Sequence, residues 1–258
     1  MDRKTKTLRE RVLEHLAVLR IPITPEELDQ LIAAAEREGL SFLEASDRLL
    51  GEQAARRRDR GIKRRITAAH FPEHKTLETF DWKFNKTINR AQYEQLATGD
   101  FIRRRANVVL VGQSGVGKSH LMQAVALSGC ALGYRVLYTT SAQMIIQLTA
   151  ALADKSLNQT LKHYASWDLL LIDEFGFDRI EREECPQAAH LLYKVIHRRH
   201  QKRSTILISN VDFDAWTQYL GGDGPLAMAM LDRLVEGAVI IKIKGPSYRA
   251  NPPATAAE

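Results

Sequence analysis

Cysteine is scarce in this chain of 258 residues, which has Cys130 and Cys185 and no others. No CxxC pair or Cys/His cluster surrounds either one. A disulfide scaffold and a structural zinc site are therefore not expected, and the pattern fits a reducing compartment. Long apolar runs are also missing. The longest uncharged stretch of note, residues 136–153, carries Thr139, Thr140, Ser141, Gln143, Gln147 and Thr149, which is too polar for a bilayer span. The first residues, MDRKTKTLRER, are charged and lack the apolar core of a secretory signal. Internal repeats and low-complexity segments are absent too. These absences point to a soluble cytoplasmic protein with no membrane partner.

Acidic residues are missing from one place in particular. The net charge is +6, from 37 Lys and Arg against 31 Asp and Glu. The segment RRRDRGIKRR at 56–65 holds seven of those basic residues and one acid, so the rest of the chain balances at 30 against 30. The whole excess sits in ten residues. Such a cluster, Arg56, Arg57, Arg58, Arg60, Lys63, Arg64 and Arg65, is the usual electrostatic footprint of a nucleic-acid site, although it also suits a solvated helix end. A second run, HRRHQKR at 197–203, closes a predicted helix, where cations favour the macrodipole in any case.

Residues 1–66 read as a small helical domain. Leu8, Val12, Leu16 and Leu19 share one helix face, and Pro22 stops that helix. Thr24-Pro25-Glu26-Glu27 and Ser41-Phe42-Leu43-Glu44 are capping-box sequences opening two more helices, and Gly39 is the expected cap between them. The last helix can continue into the basic segment. Residues 67–80 read as a linker that Phe71, Leu77 and Phe80 could strap onto a neighbour, and the tail 251–258 reads as disordered. From 81 to 250 strands and helices alternate. Strands are predicted at 107–112, 135–140, 168–173, 205–210 and 238–244, with helices near 118–131, 142–153, 156–165, 186–201, 212–220 and 225–235. The strands are short and almost continuously apolar, the mark of a parallel sheet buried on both faces. The expected fold is α/β: a five-stranded parallel sheet flanked by helices, beside a small helical domain.

Three stretches carry chemistry. Gly112-Gln113-Ser114-Gly115-Val116-Gly117-Lys118-Ser119, followed by His120, fits GxxxxGK[ST] and stands between a predicted strand and a predicted helix. Glycines let backbone N–H groups approach phosphate oxygens, and the helix N-terminus favours an anion. Lys118 would reach the β- and γ-phosphates, and the Ser119 hydroxyl would ligate Mg²⁺. The strand LLLIDE brings Asp173 to that metal, and Glu174 beside it can act as general base toward water, which makes the chemistry hydrolysis. TILISN ends in Asn210. If its strand lies between the other two, the amide can hold the attacking water or a γ-phosphate oxygen; otherwise it is a turn former. A small-molecule kinase would need a lid and an acceptor pocket, and it would have no use for the basic segment.

The order GQSGVGKS, LLLIDE, ISN, MLDRL and SYR resembles the AAA+ ATPases of the IstB family, helper ATPases of insertion-sequence transposition, over about residues 66–250. The family is similar to the DnaC-type helicase loaders, and a loader is the alternative reading. The resemblance implies a core without a large C-terminal lid. It implies ATP rather than GTP, and no NKxD guanine reader is visible. It also implies a homo-oligomer with nucleotide at subunit interfaces, where Arg233 of MLDRL completes a neighbour's site and Arg249 of SYR lies near the nucleotide. Arg233 could instead form an ion pair within its own chain, with Asp232 or Glu236. The implied partners are duplex DNA, gripped with little sequence preference, and a cognate transposase. In the related clade the segment between the second and third strands faces a DNA channel, which adds Lys155 and Lys162 as candidate DNA contacts.

Overall fold

The computed structural model describes residues 7–177 and 187–250. Cys185, Pro186 (the first residue of the helix predicted at 186–201) and the tail 251–258, read as disordered, lie outside the described residues; the described helix starts at Ala188, with Gln187 before it as its N-cap. The chain divides into two compact units, Met1–Lys63 and Arg64–Glu258.

The first unit contains α1 (Leu8–Val18), α2 (Pro25–Glu38) and most of α3 (Phe42–Ala69), a 28-residue helix that crosses the boundary between the units. Each start is fixed by a reciprocal capping pair: Thr7 with Glu10, Thr24 with Glu27 and Ser41 with Glu44. Gly39 closes α2 in the left-handed conformation. The apolar stripe read for the first helix is only partly inside: Leu16 is buried, whereas Leu8 and Leu19 remain exposed. On the next two helices Leu28 is buried and Ile32 and Leu50 are exposed. α3 stays helical through the basic segment, which has no proline and consists mostly of straight-chain residues that favour helix.

The second unit is built on a parallel sheet. Its strands are β1 (Val108–Gly112), β2 (Val136–Thr140), β3 (Leu169–Phe175), β4 (Ser204–Ser209) and β5 (Val239–Ile243), in the order β2-β3-β4-β1-β5. Alternation sends Val109, Val111, Leu170, Ile172 and Leu207 to one face, where α7 (Ser141–Ala153), α8 (Leu157–Ser166), α9 (Ala188–Arg199), α10 (Trp216–Tyr219) and α11 (Gly224–Val235) cover them. Val108, Leu110, Leu169, Leu171, Ile206 and Ile208 face the other way, under α4 (Arg90–Ala97), α5 (Asp100–Arg103) and α6 (Lys118–Ala131). The helix predicted at 212–220 is instead a 3-10 turn, Phe213–Ala215, followed by α10. Among the described residues no helix follows β5 and none is long and apolar enough to cross a membrane.

Residues 67–80 pack as part of the second unit. Ala69 belongs to the α6-side core, with Phe71, Leu77 and Phe80 packed against it. α4 and α5 have no counterpart among the predicted helices. They are short, and Asn89 and Gly99 open them.

Arg199 is the most unusual core residue. It is 1% exposed, and burial pushes its guanidinium down to about 9. Its donors reach the carbonyls of Tyr164 (2.7 Å), Trp167 (2.9 Å) and Ser204 and the Thr205 hydroxyl (3.0 Å), tying α8 to the start of β4. Arg199→Leu would leave several buried acceptors unpaired at about 1–3 kcal/mol each. A loss of roughly 3–5 kcal/mol is expected, measurable by urea titration, and a change below about 1 kcal/mol would refute the structural role.

Candidate nucleotide-binding site

The turn between β1 and α6 is shaped by two left-handed glycines, Gly115 (φ 82°) and Gly117 (φ 93°). A Cβ on Gly117 would fall 2.7 Å from the Phe80 ring, so both the backbone conformation and the space demand glycine there. Ser114, Gly115, Val116, Gly117, Lys118, Ser119 and His120 line a cavity of about 690 Å³. Gly112 and Gln113 contribute differently, through carbonyls that each accept a hydrogen bond from Lys118 Nζ at 2.8 Å. The third acceptor is Asn210 Oδ1, at 2.7 Å. Lys118 is 5% exposed, and this burial pushes its ammonium down to about 8; Asp173 pulls in the opposite direction and Arg249 adds to the depression.

β4 lies between β1 and β3, which answers the question its sequence raised and brings Asn210 to Lys118. Next door, Asp173 and Glu174 both line the cavity. Adjacent residues on a regular strand point to opposite faces. Here the β3–β4 register shifts between Ile172 and Phe175, and Glu174 takes φ 60°. A side-chain-bearing residue in that conformation is uncommon and strained. The bulge is what allows consecutive carboxylates to serve one site. Local bonds hold it: Asp173 Oδ1 accepts from the Glu174 N–H at 2.7 Å, and the Glu174 carbonyl accepts from Ser141 Oγ at 3.1 Å. Asp173 is buried and Glu174 exposed. Tyr138 on β2 donates its hydroxyl to Asp173 Oδ2 at 3.2 Å, and burial, with that carboxylate adding, pushes its phenol upward.

A second polar cavity of about 720 Å³ adjoins the first and shares Glu73, Ser119, Gln123, Asp173, Glu174 and Arg249 with it. Arg249 therefore stands at the junction. The segment carrying it is tied to the phosphate loop, because the Tyr248 N–H donates to the Gly115 carbonyl at 2.9 Å. Phe84 packs edge-on against Tyr248 with ring centroids 4.8 Å apart. His120 turns toward the preceding segment, with Nε2 2.9 Å from the Thr76 carbonyl and 3.3 Å from Thr79 Oγ1. Sequence reading missed the contribution of Glu73, Thr79, Phe84 and Tyr248. The aromatic character of 71–84 was the available signal.

Arg233 does not line either cavity. It projects from α11, and among the described residues no carboxylate lies within ion-pair distance of it, so the pairing with Asp232 or Glu236 does not form. The candidate DNA contacts are also unequal. Arg57, Arg58, Arg60, Lys63, Arg64, Lys155 and Lys162 are exposed. Arg56 is shared between Glu27 (2.9 Å) and Glu52 (2.8 Å), and Arg65 Nε donates to the Cys130 carbonyl at 2.8 Å.

A strand–glycine loop–helix unit, a carboxylate-bearing strand two places away and an asparagine-ended strand between them define a P-loop nucleotide-binding protein of the AAA+ kind. Comparisons narrow the class. The family described as IstB-like ATP binding protein matches residues 14–256, and the chain belongs to it. A Geobacillus stearothermophilus relative, named for insertion sequence IS5376 and for ATP binding, is 32% identical over 94% of both chains. A Pseudomonas aeruginosa relative, named likewise for IS21, is 35% identical over 86% of this chain and 82% of its own. Among solved structures, DnaI shares the fold with a TM-score of 0.51 at 20% identity, over 67% of this chain and 90% of its own. A DnaA replication initiator bound to AMPPCP and single-stranded DNA gives 0.50 at 22% identity, over 66% of this chain and 50% of its own.

The depressed Lys118 ammonium sets a pH dependence. A bound polyphosphate favours the charged form and raises its pKa, so nucleotide affinity is steady below about 8. Above that it should weaken toward roughly tenfold per pH unit, because binding then requires proton uptake. Titration of ATP binding by calorimetry from about pH 7 to 9.5 would show this, whereas a flat profile would contradict a depressed Lys118 ammonium.

Proposed function

We propose that the chain is an ATPase that assembles on duplex DNA, engages the transposase of its insertion sequence, and uses hydrolysis to remodel or release the complex. The observation that carries this reading is the placement of Glu174 directly after Asp173 on a bulge, lining the same cavity as Lys118. An acid there takes a proton from water in the attack on a γ-phosphate, so the phosphoryl acceptor is water. Lys118 neutralises the phosphates, Asn210 orients the water or a γ-oxygen, and Arg249, which lines the same cavity, adds a second positive charge near the nucleotide.

The Ser119 hydroxyl and Asp173 carboxylate are hard oxygen donors that suit Mg²⁺, which when bound would neutralise charge on the phosphates. Among the described residues no three or more His, Cys, Asp or Glu stand close enough together to hold a metal ion by themselves. This fits an ion that takes most of its ligands from phosphate and water. Arg233 stands outside its own cavity, which supports a role at the nucleotide of a neighbouring copy. An arginine supplied that way stabilises charge on the γ-phosphate only when subunits are correctly packed. The insertion-sequence names of the relatives support transposition as the setting. The exposed arginines of α3 support a phosphate-backbone grip with little sequence preference.

Lys118→Ala should lose nucleotide binding. Glu174→Gln should keep it, lose turnover by roughly 10²–10⁴-fold, and hold the DNA-bound assembly. Phosphate release and filter binding test both, and full turnover by Glu174→Gln would refute the base. Replacing Arg57, Arg58, Arg60 and Arg64 with glutamine should leave ATP binding intact and make the salt dependence of DNA binding shallower by about 3–4 in log–log slope. An unchanged slope would remove α3 from the interface.

A further inference from the structure

The run 197–203 looks like a basic surface patch, and His197, Gln201, Lys202 and Arg203 are exposed, yet most of its basic side chains are engaged within the chain. Arg199 is buried, Arg198 donates to Asn158 Oδ1 at 2.8 Å, Arg203 lies 3.6 Å from Asp168, and His200 lies 3.1 Å from Glu236. His197 is turned toward Arg233. The Arg233 Nε donates to His197 Nδ1 at 3.0 Å. A guanidinium only donates, so Nδ1 presents its lone pair and the ring proton sits on Nε2.

The remaining contacts complete a cradle. Tyr193, one helical turn before His197, stacks on that imidazole with centroids 5.6 Å apart and an interplanar angle of 19°. The Arg233 guanidinium carbon lies 5.1 Å from the centre of the same tyrosine ring. Nη1 donates to the Ala229 carbonyl at 2.7 Å. The backbone is fixed as well, since the Arg233 carbonyl accepts from Asn107 Nδ2 at 3.1 Å and from His200 Nδ1 at 3.2 Å. Nη2 makes no hydrogen bond among the described residues. The side chain is therefore held by neutral acceptors and an aromatic face, which orient the cation without cancelling its charge.

We propose that His197 and Tyr193 are positioning residues for Arg233: they aim its Nη2 end at the triphosphate of a neighbouring copy. This rests on the reading of Arg233 as an arginine supplied between subunits. A guanidinium already ordered loses less freedom on docking, and it meets the γ-phosphate in the geometry that hydrolysis requires. A carboxylate in place of the imidazole would hold the side chain equally well but would offset the charge the site needs.

The test uses full-length subunits. His197→Ala should lower kcat roughly 10- to 100-fold while leaving KM for ATP and nucleotide binding unchanged. His197→Asn, whose Oδ1 can accept in place of Nδ1, should recover most of the loss. The decisive readout is mixing. Glu174→Gln subunits do not turn over but present an intact cradle, so adding them to His197→Ala subunits should raise phosphate release per His197→Ala site. Tyr193→Leu in the same mixture should behave likewise, and it carries the test if His197→Ala fails to fold. The control mixture, Arg233→Ala with Glu174→Gln, examines the underlying reading separately, and no rise there would mean that Arg233 does not act between subunits. A rise in the control, combined with undiminished activity of both cradle variants alone or with no rise in their mixtures, would overturn the proposal itself.

Discussion

One ammonium ties the site together. Lys118 donates to two carbonyls of its own loop and to Asn210 at the end of β4. Because β4 is inserted between β1 and β3, that third bond joins the phosphate loop to the strand neighbouring the carboxylates. The arrangement is costly for a cation, as the downward push on Lys118 shows. It is tolerable because three oxygens replace water around the charge. All three protons of the ammonium are engaged, so a phosphate arriving at the loop takes the place of at least one of these acceptors while the Lys118 side chain already lies beside the loop.

The rest of the site depends on departures from regular structure that the sheet can support. A straight β3 would send Asp173 and Glu174 to opposite faces, and the bulge and the left-handed Glu174 bring them to one cavity. The strain is held by Ser141 at the start of α7 and by bonds within the pair. The phosphate loop is similarly backed by remote chain, with Phe80 against Gly117 and Tyr248 hydrogen-bonded to Gly115. Both supports come from segments flanking the sheet, so the loop's shape is a property of the whole second unit.

Features that repeat locally could be read in the sequence. The strands show themselves because Val, Leu and Ile occupy both faces, as in Val108–Val111 and Leu169–Ile172. The glycine loop shows itself through its spacing, and the capping boxes at Thr24 and Ser41 through side chains three residues apart. Features made by distant contacts could not be read. α4 and α5 are too short to show a period, and they exist because Tyr93, Leu96, Phe101 and Ile102 find a core to enter. The bulge at Glu174 depends on pairing with β4. Arg199 looks like any cation in a basic run, and only the fold supplies the carbonyls that let it be buried. The stripe of α1 misleads for a related reason: periodicity marks a face, and Leu8 and Leu19 show that the face need not be covered within the unit.

A lone copy, on this view, has everything for binding the nucleotide and lacks one positive charge for cleaving it. The most direct measurement is phosphate release per subunit, at saturating ATP, across protein concentrations that span monomer and self-associated states, with the state verified by light scattering. Turnover per subunit should climb as self-association sets in and level off when every site has a neighbour. Equal turnover in strictly monomeric and fully associated samples would contradict the seam between copies as the place of hydrolysis.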